Sequence, residues 1–302
     1  MTSTPTQASD PFQKFAIGRT GDLDEVLMRQ KLGTSVTDHR GLIELPALAV
    51  LFDDIGGIPF YLLDPTTSSM QARLTMAMVH RPAVDDVLIA RGDLQIHDDA
   101  FGSTAVTISG RDGTLCVGTA RNVRVGRAIR EGGGLDGEDA QAIWDVDPEA
   151  PNQVPAPAPL DPALSGAEVV AGLIDGSFPM GPISDLLGGG VSGSHEDGSI
   201  TAHFATKAWM SNMMGTMHGG VIGAMLAQAC SFGAQFHVRP GANYQLVDFA
   251  CEFHRSPSVD GRSVRVEVSP VKLGRRLSLF DARMYDGDVL LGRATADARF
   301  DL

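Results

Sequence analysis

The segment GGVIGAMLAQACSFGAQF, residues 219–236, constrains this chain more than any other. It reads as a helix opened by His218-Gly219-Gly220, and it has no clear polar face. A helix that is apolar on every side has to be enclosed by other elements. The segments after it can do the enclosing: YQLVDFACEFHR (244–255), SVRVEVSPVKLG (263–274), RRLSLFDARMYD (275–286) and VLLGRATADARF (289–300) are strand-like, with DGR, GRR and DGD as turn signals. SITAHFATKAWMSN (199–212) reads as a strand leading into the helix. One long helix wrapped by an antiparallel sheet is an α+β arrangement.

The first half repeats that order. ELPALAVLFDDIGG (44–57) reads as an apolar helix with Pro46 in its first turn. Strand-like segments follow at 68–82, 87–98, 101–113 and 115–127. VHRP (79–82) and RDGTL (111–115) fall where FHRSP (253–257) and YDGDVL (285–290) fall in the second half. A repeat near half the chain length means two copies of one fold. Between them, from Glu131 to Asp161, lie eight acidic residues with no Lys or Arg, set among Gly and Pro clusters that suit a semi-extended connection. The expected organisation is an N-terminal domain over 1–127, a linker over 128–165 and a C-terminal domain over 166–302.

Charge and composition narrow the partners. With 24 Lys+Arg against 37 Asp+Glu, a net −13, the chain lacks the basic excess a general nucleic-acid binder needs. Its apolar runs are too short to cross a bilayer, and the N-terminus has no basic region followed by a hydrophobic core, so a cytoplasmic protein is expected. Cys116, Cys230 and Cys251 have no metal-ligand or redox spacing and are expected to be buried small hydrophobes, and the scattered histidines suggest no metal site. No cofactor is expected.

The ordered set NMMGTMHGGVIGAML, FHRSP and SPVKLGRRLSLFDARMYDGDVLLGRA resembles the hotdog-fold acyl-CoA thioesterases of the phenylacetate-pathway or 4-hydroxybenzoyl-CoA type. The resemblance covers about residues 166–300; a fainter one over about 30–127 lacks HGG. It implies a double hotdog, two tandem domains doing in one polypeptide what the family does with a dimer, and further association into a homo-oligomer of such pseudodimers. It also implies that the N–H of the glycine after the His, here Gly219, and an amide six residues before the His, here Asn212, polarise the thioester carbonyl. A carboxylate nine residues after the His should come from the partner helix, but that position is Ala227.

Setting the halves against each other at an offset of 174 residues, so that Asp53 of AVLFDDIGG falls within GAMLAQACS, places Asp53 opposite Ala227, Glu44 opposite His218 and Asp38 opposite Asn212. One half keeps the amide and the glycine turn, and the other keeps the acid. The expectation is one composite site from Asp53, Asn212, His218 and Gly219, and a second pseudo-site of Asp38, Glu44, Leu45, Pro46 and Ala227 that is dead.

The chemistry suits these residue types. Thioester hydrolysis builds negative charge on the carbonyl oxygen, and a helix N-terminus presents unpaired N–H groups and a partial positive charge to it. A carboxylate buried mid-helix has a raised pKa, useful for a general base, although it could equally attack to form an anhydride. His218 is expected to shape the turn. Gly220 and Ser69 are further candidates for substrate contact, and Arg275 and Arg276, with Lys272 and Arg255, for the phosphates of CoA. The competing reading is a non-catalytic acyl-CoA-binding or regulatory protein. A hotdog dehydratase would want an Asp and a His at D-x-x-x-x-H spacing at the helix start, which neither half carries.

Overall fold

The computed structural model describes residues 10–20, 27–126 and 147–301. Its centre is a pair of adjacent helices, α2 (Ala49–Tyr61), entered through a 3-10 turn over Leu45–Leu48, and α5 (Gly219–Phe236). Nearly every residue of both is buried, in keeping with the lack of a polar face.

Around them runs one antiparallel sheet. Its strands are β1 (Ile17–Thr20), β2 (Leu27–Lys31), β3 (Ser69–Met78), β4 (Val87–His97), β5 (Phe101–Gly110), β6 (Gly113–Arg124), β7 (Gly189–Ser194), β8 (Ile200–Ala205), β9 (Asn243–Phe253), β10 (Ser263–Lys272), β11 (Leu277–Asp286) and β12 (Val289–Asp301). The spatial order is β1-β2-β4-β5-β6-β3-β9-β12-β11-β10-β8-β7. Read outward from its middle, the order 3-6-5-4-2-1 on one side matches 9-12-11-10-8-7 on the other, each strand meeting its copy. The two copies are therefore related by a pseudo-two-fold through the β3–β9 pair, where Arg73–Ala77 lies antiparallel to Asp248–Glu252. This is the double-hotdog α+β architecture.

Alternating side chains on the strands turn one face to the helices, as in β10, where Val264, Val266 and Val268 are buried between more exposed neighbours. Cys116, Cys230 and Cys251 are free and buried, and burial pushes the Cys116 thiol up to about 12. Among the described residues no helix is long and apolar enough to cross a membrane, and no His/Cys/Asp/Glu group could hold a metal.

Three features differ from the sequence reading. The first helix does not stop at Gly56-Gly57 but runs to Tyr61 through Pro59. Those glycines allow close packing: a Cβ on Gly56 would come 2.5 Å from that of Ala120, and one on Gly57 would come 2.2 Å from Gln71 Nε2. The segment 199–212 is a strand only over β8, and then turns through a 3-10 segment at Ala208–Met210. Short elements also appear in the first half: α1 (Pro11–Lys14), capped by the Asp10 side chain on the Gln13 N–H, and the β1–β2 pair.

In the second half, α3 (Gly166–Asp175) begins at a capping box of Ser165 and Glu168, and α4 (Pro182–Leu187) follows it. Of the expected linker, residues 128–146 lie outside the described residues. The rest docks on the first half: Lys31 Nζ donates to Asp147 Oδ2 at 2.9 Å and to the Pro148 carbonyl at 2.7 Å, and Thr34 exchanges two hydrogen bonds with Val154.

Candidate active site

The N-terminus of α5 meets the middle of α2, and glycine makes the approach possible. A Cβ on Gly220 would lie 2.6 Å from the Val50 Cα and 3.0 Å from the Ala49 carbonyl oxygen. One on Gly219 would lie 2.9 and 3.1 Å from the two oxygens of Asp53. Both glycines of HGG thus have a packing reason: any side chain would push α5 off α2, or the carboxylate out of place.

Asp53 is 2 % exposed. Its Oδ2 accepts the Gly220 N–H at 2.6 Å and lies 3.2 Å from His218 Nδ1. Its Oδ1 is buried and accepts no hydrogen bond from the described residues. Behind it, Gln71 Nε2 donates to the Asp53 carbonyl at 2.6 Å, in the space that Gly57 leaves open.

His218 is the N-cap of α5, extended at φ −65° and ψ 137°. In the neutral ring Nδ1 accepts the Gly220 N–H at 3.0 Å, whereas in the imidazolium it faces Asp53 as a donor. Its Nε2 lies 3.3 Å from Asp54 Oδ2. Phe12 of α1 sets its ring edge-on to the imidazole, 6.4 Å between centroids, and Arg19 lies over the Phe12 ring.

Burial sets the electrostatics. It pushes the Asp53 carboxyl up to about 7, opposed by His218, reinforced by Asp54 and opposed again by the Gly220 N–H. For His218 burial acts downward but is outweighed by Asp54, Asp53 and Asp10, which raise it to about 9. The carboxyl groups around the ring thus favour its protonated form, while burial favours the neutral form of Asp53.

These residues open on a cavity of about 400 Å³. Asp53, Asn212, His218, Gly219 and Ser69 all line it, with Ser68, Met70, Tyr61 and Phe253 among its other walls. Asn212 is tied into its own loop: Oδ1 accepts the N–H groups of Met214 and Thr216, and Nδ2 donates to Thr216 Oγ1 at 3.2 Å. One Nδ2 hydrogen remains for a ligand. Gly220 is buried behind Asp53 and contributes its N–H to the carboxylate, so the structure gives it no ligand-facing place.

Arg275 and Arg276 are not brought here. Arg275 lines a separate cavity of about 220 Å³ with His237, Arg239 and Phe300, and the Arg276 carbonyl accepts the Phe300 N–H.

Sequence reasoning missed Asp54, Phe12, Arg19 and Gln71. Asp53 and Asp54 are consecutive and so point about 100° apart around the helix, which argues against a shared partner. Both reach His218 because the two ring nitrogens face opposite ways. An acidic doublet in an otherwise apolar helix was the available signal.

Residues 214–292 match the model of the thioesterase superfamily. No curated protein matches the chain. Among solved structures, a TesB protein from Mycobacterium avium subspecies paratuberculosis is 10 % identical, with a TM-score of 0.60 over 96 % of this chain and 97 % of its own. A hotdog-fold protein of unknown function from Alicyclobacillus acidocaldarius is also 10 % identical, with a TM-score of 0.61 over the same shares. At such identities the likeness speaks for the fold, and it extends over both halves.

Proposed function

We propose that this double-hotdog chain, with its thioesterase-superfamily segment, is an acyl-CoA thioesterase that hydrolyses its substrate at one composite site between the halves. The observation that carries the reading is the Asp53 carboxylate, buried and with one oxygen unbonded, held against the glycine-opened N-terminus of α5 in a shared cavity.

The substrate carbonyl oxygen points at the Gly219 N–H, for which no acceptor exists among the described residues, and the remaining Asn212 Nδ2 hydrogen assists. Negative charge that develops there is met by the helix N-terminus and the imidazolium of His218. In the general-base route Asp53 takes a proton from water, the hydroxide adds to the carbonyl carbon, and the tetrahedral intermediate collapses with cleavage of the C–S bond. The thiolate then takes the proton from Asp53. In the nucleophilic route Asp53 itself adds to the carbonyl, the thiolate leaves, and water opens the anhydride. Label found in Asp53 after a single turnover in H2 18O establishes the nucleophilic route, because water attack on the aspartyl carbonyl of the anhydride places it there and the direct route never does. We read the domain boundaries as 1–127 and 166–302, joined by 128–165.

Free-thiol release from a panel of acyl-CoAs tests the reading, with Asp53→Ala as control. Wild type is expected to release thiol, and the variant to lose about 100- to 10,000-fold, the usual range for a lost acid–base group. Equal inactivity of both proteins with CoA esters still bound would establish the non-catalytic binding reading in its place.

A further inference from the structure

The alignment of the two halves puts Gln228 opposite Asp54, just as it puts Glu44 opposite His218 and Ala227 opposite Asp53. Gln228 is buried and donates to Ser184 Oγ at 3.2 Å. The histidine and both acids are thus present together at one pseudo-site and absent together from the other. Asp54 does not line up with any group the proposed reaction consumes, yet its Oδ2 is buried and accepts no hydrogen bond among the described residues, leaving the His218 Nε2 at 3.3 Å as its ion-pair contact.

We propose that Asp54 is a positioning residue: together with Asp53 it grips both ring nitrogens of His218, and this grip leaves Oδ1 as the working oxygen of Asp53 beside the Gly219 N–H. The inference rests on the thioesterase reading for its catalytic meaning, but the grip itself is a property of the resting protein.

The geometry forces the coupling. His218 caps α5, so moving its ring moves the turn that presents Gly219. The same ring contacts Asp53 Oδ2, so it also fixes which carboxylate oxygen is engaged and which is free. Among the described residues Asp54 is the ion-pair partner on the Nε2 side, 3.3 Å away, and Phe12 packs edge-on to the ring. The charged groups around the imidazole are Asp53 and Asp54 of α2 and Asp10 at the start of α1, while Arg19 of β1 sits by Asp54 and Asp10. Three carboxyl groups facing one ring favour its doubly protonated form, and Asp54 leads them. Gripped in that form, the ring presents a fixed positive charge to the oxyanion as well.

The test is the titration of His218 by NMR on histidine-labelled protein without substrate, in wild type, Asp54→Asn and Asp54→Glu. Asn keeps the shape and removes the charge. The wild-type midpoint is expected near 9, the Asn variant at least one pH unit lower, and Glu in between or restored. In the thiol-release assay Asp54→Asn should lower kcat about tenfold or more with KM within about twofold, and bring the alkaline limb of the pH profile down with the imidazole. A wild-type His218 that titrates at or below 6.5, or an Asn variant with an unmoved midpoint, overturns the grip. Because that readout needs no turnover, it fails or stands separately from the thioesterase reading, which falls only if wild type releases no thiol.

Discussion

The two pseudo-equivalent sites at the ends of the β3–β9 pair began alike and now do opposite things with buried charge. At the Asp53 site the acid keeps an unbonded oxygen, its carboxyl is raised to about 7 by burial, and a cavity remains. At the other, Glu44 stands where His218 would be and is met from two sides: Arg40 Nη2 at 2.8 Å and Arg81 Nε at 2.8 Å. Arg40 also binds Asp38 at 2.5 Å, lies 3.6 Å over the Tyr244 ring and, with Arg81, donates to the Tyr244 carbonyl. Every charge there has a partner. Burial still holds Glu44 above the usual carboxylate range against both guanidiniums, while Arg40 holds Asp38 below it. One site keeps a carboxylate with one oxygen unbonded beside a cavity, and at the other the carboxylates are tied up by arginines that join the halves.

The sharpest way to break this contrast is a pair of isosteric neutral variants. Asp53→Asn is expected to abolish thiol release while leaving stability at pH 8 no lower than wild type. The sign follows from the raised pKa: with its folded value near 7 against an ordinary 3.8, ionising Asp53 costs stability progressively between those values and in full above them, and Asn removes that cost. Glu44→Gln should leave kcat almost unchanged, and because burial holds Glu44 raised as well, the same sign applies and stability at pH 8 is not expected to fall. Urea unfolding and thiol release on both variants decide it; a Glu44→Gln protein that loses activity without losing stability would show that the second pseudo-site still takes part in the reaction.

How much of this was legible depended on whether a residue's role is fixed locally. The helix at 219–236, the strand runs and the duplication were readable because apolar periodicity and turn residues act within a few positions. The pairing of Asp53 with the 218–220 turn was readable from the alignment of the halves, since a dimer-like fold places equivalent positions opposite each other. The Asp54 contact, the Phe12 wall and the Arg40–Glu44–Arg81 network were not. Each depends on side chains converging from segments far apart in sequence; Arg40 falls opposite Met214, and Arg81 has a counterpart in Arg255, which is exposed and gives no sign of a buried acid to pair with. The stop expected at Gly56-Gly57 failed because glycine there serves helix-to-sheet approach, a tertiary demand that overrides its local preference.

Gly219→Ala sharpens the comparison at the next level of effect. The added methyl would meet both oxygens of Asp53 at about 3 Å, so the carboxylate has to rotate or α5 has to shift. Either disturbs the donor and the acid at once, and a loss of about 100-fold in kcat is expected, the size seen when one oxyanion donor is removed. Leu45, its counterpart, sits in a fully buried apolar setting, and Leu45→Ala should leave the rate alone while costing about 2–5 kcal/mol of stability. Equal rate losses in the two variants would mean that the helix start works through packing alone.

The smallest effect is expected at Arg275 and Arg276, and the sheet explains why. Strand β9 carries Phe253, a wall of the Asp53 cavity, at one end and Asn243 at the other, a separation of roughly 33 Å at about 3.3 Å per residue. The turn holding both arginines precedes Leu277, which pairs with Arg299, and Arg299 and Asp301 lie beside Gln245 and Asn243. The two guanidiniums therefore belong to the end of the sheet where Arg40 bonds Asn243, the plugged pseudo-site. Replacing both with Ala should change KM for an acyl-CoA by no more than about twofold. The CoA phosphates would instead meet cations at the Phe253 end, where Arg255 is exposed next to Ser256 of the cavity wall. Arg255→Ala is then expected to raise KM for the acyl-CoA several-fold but not for the matching acyl-pantetheine, which lacks the nucleotide phosphates. A KM that rises instead in the Arg275/Arg276 double variant would place the nucleotide across the plugged pseudo-site, and the division of labour between the two sites would have to be redrawn.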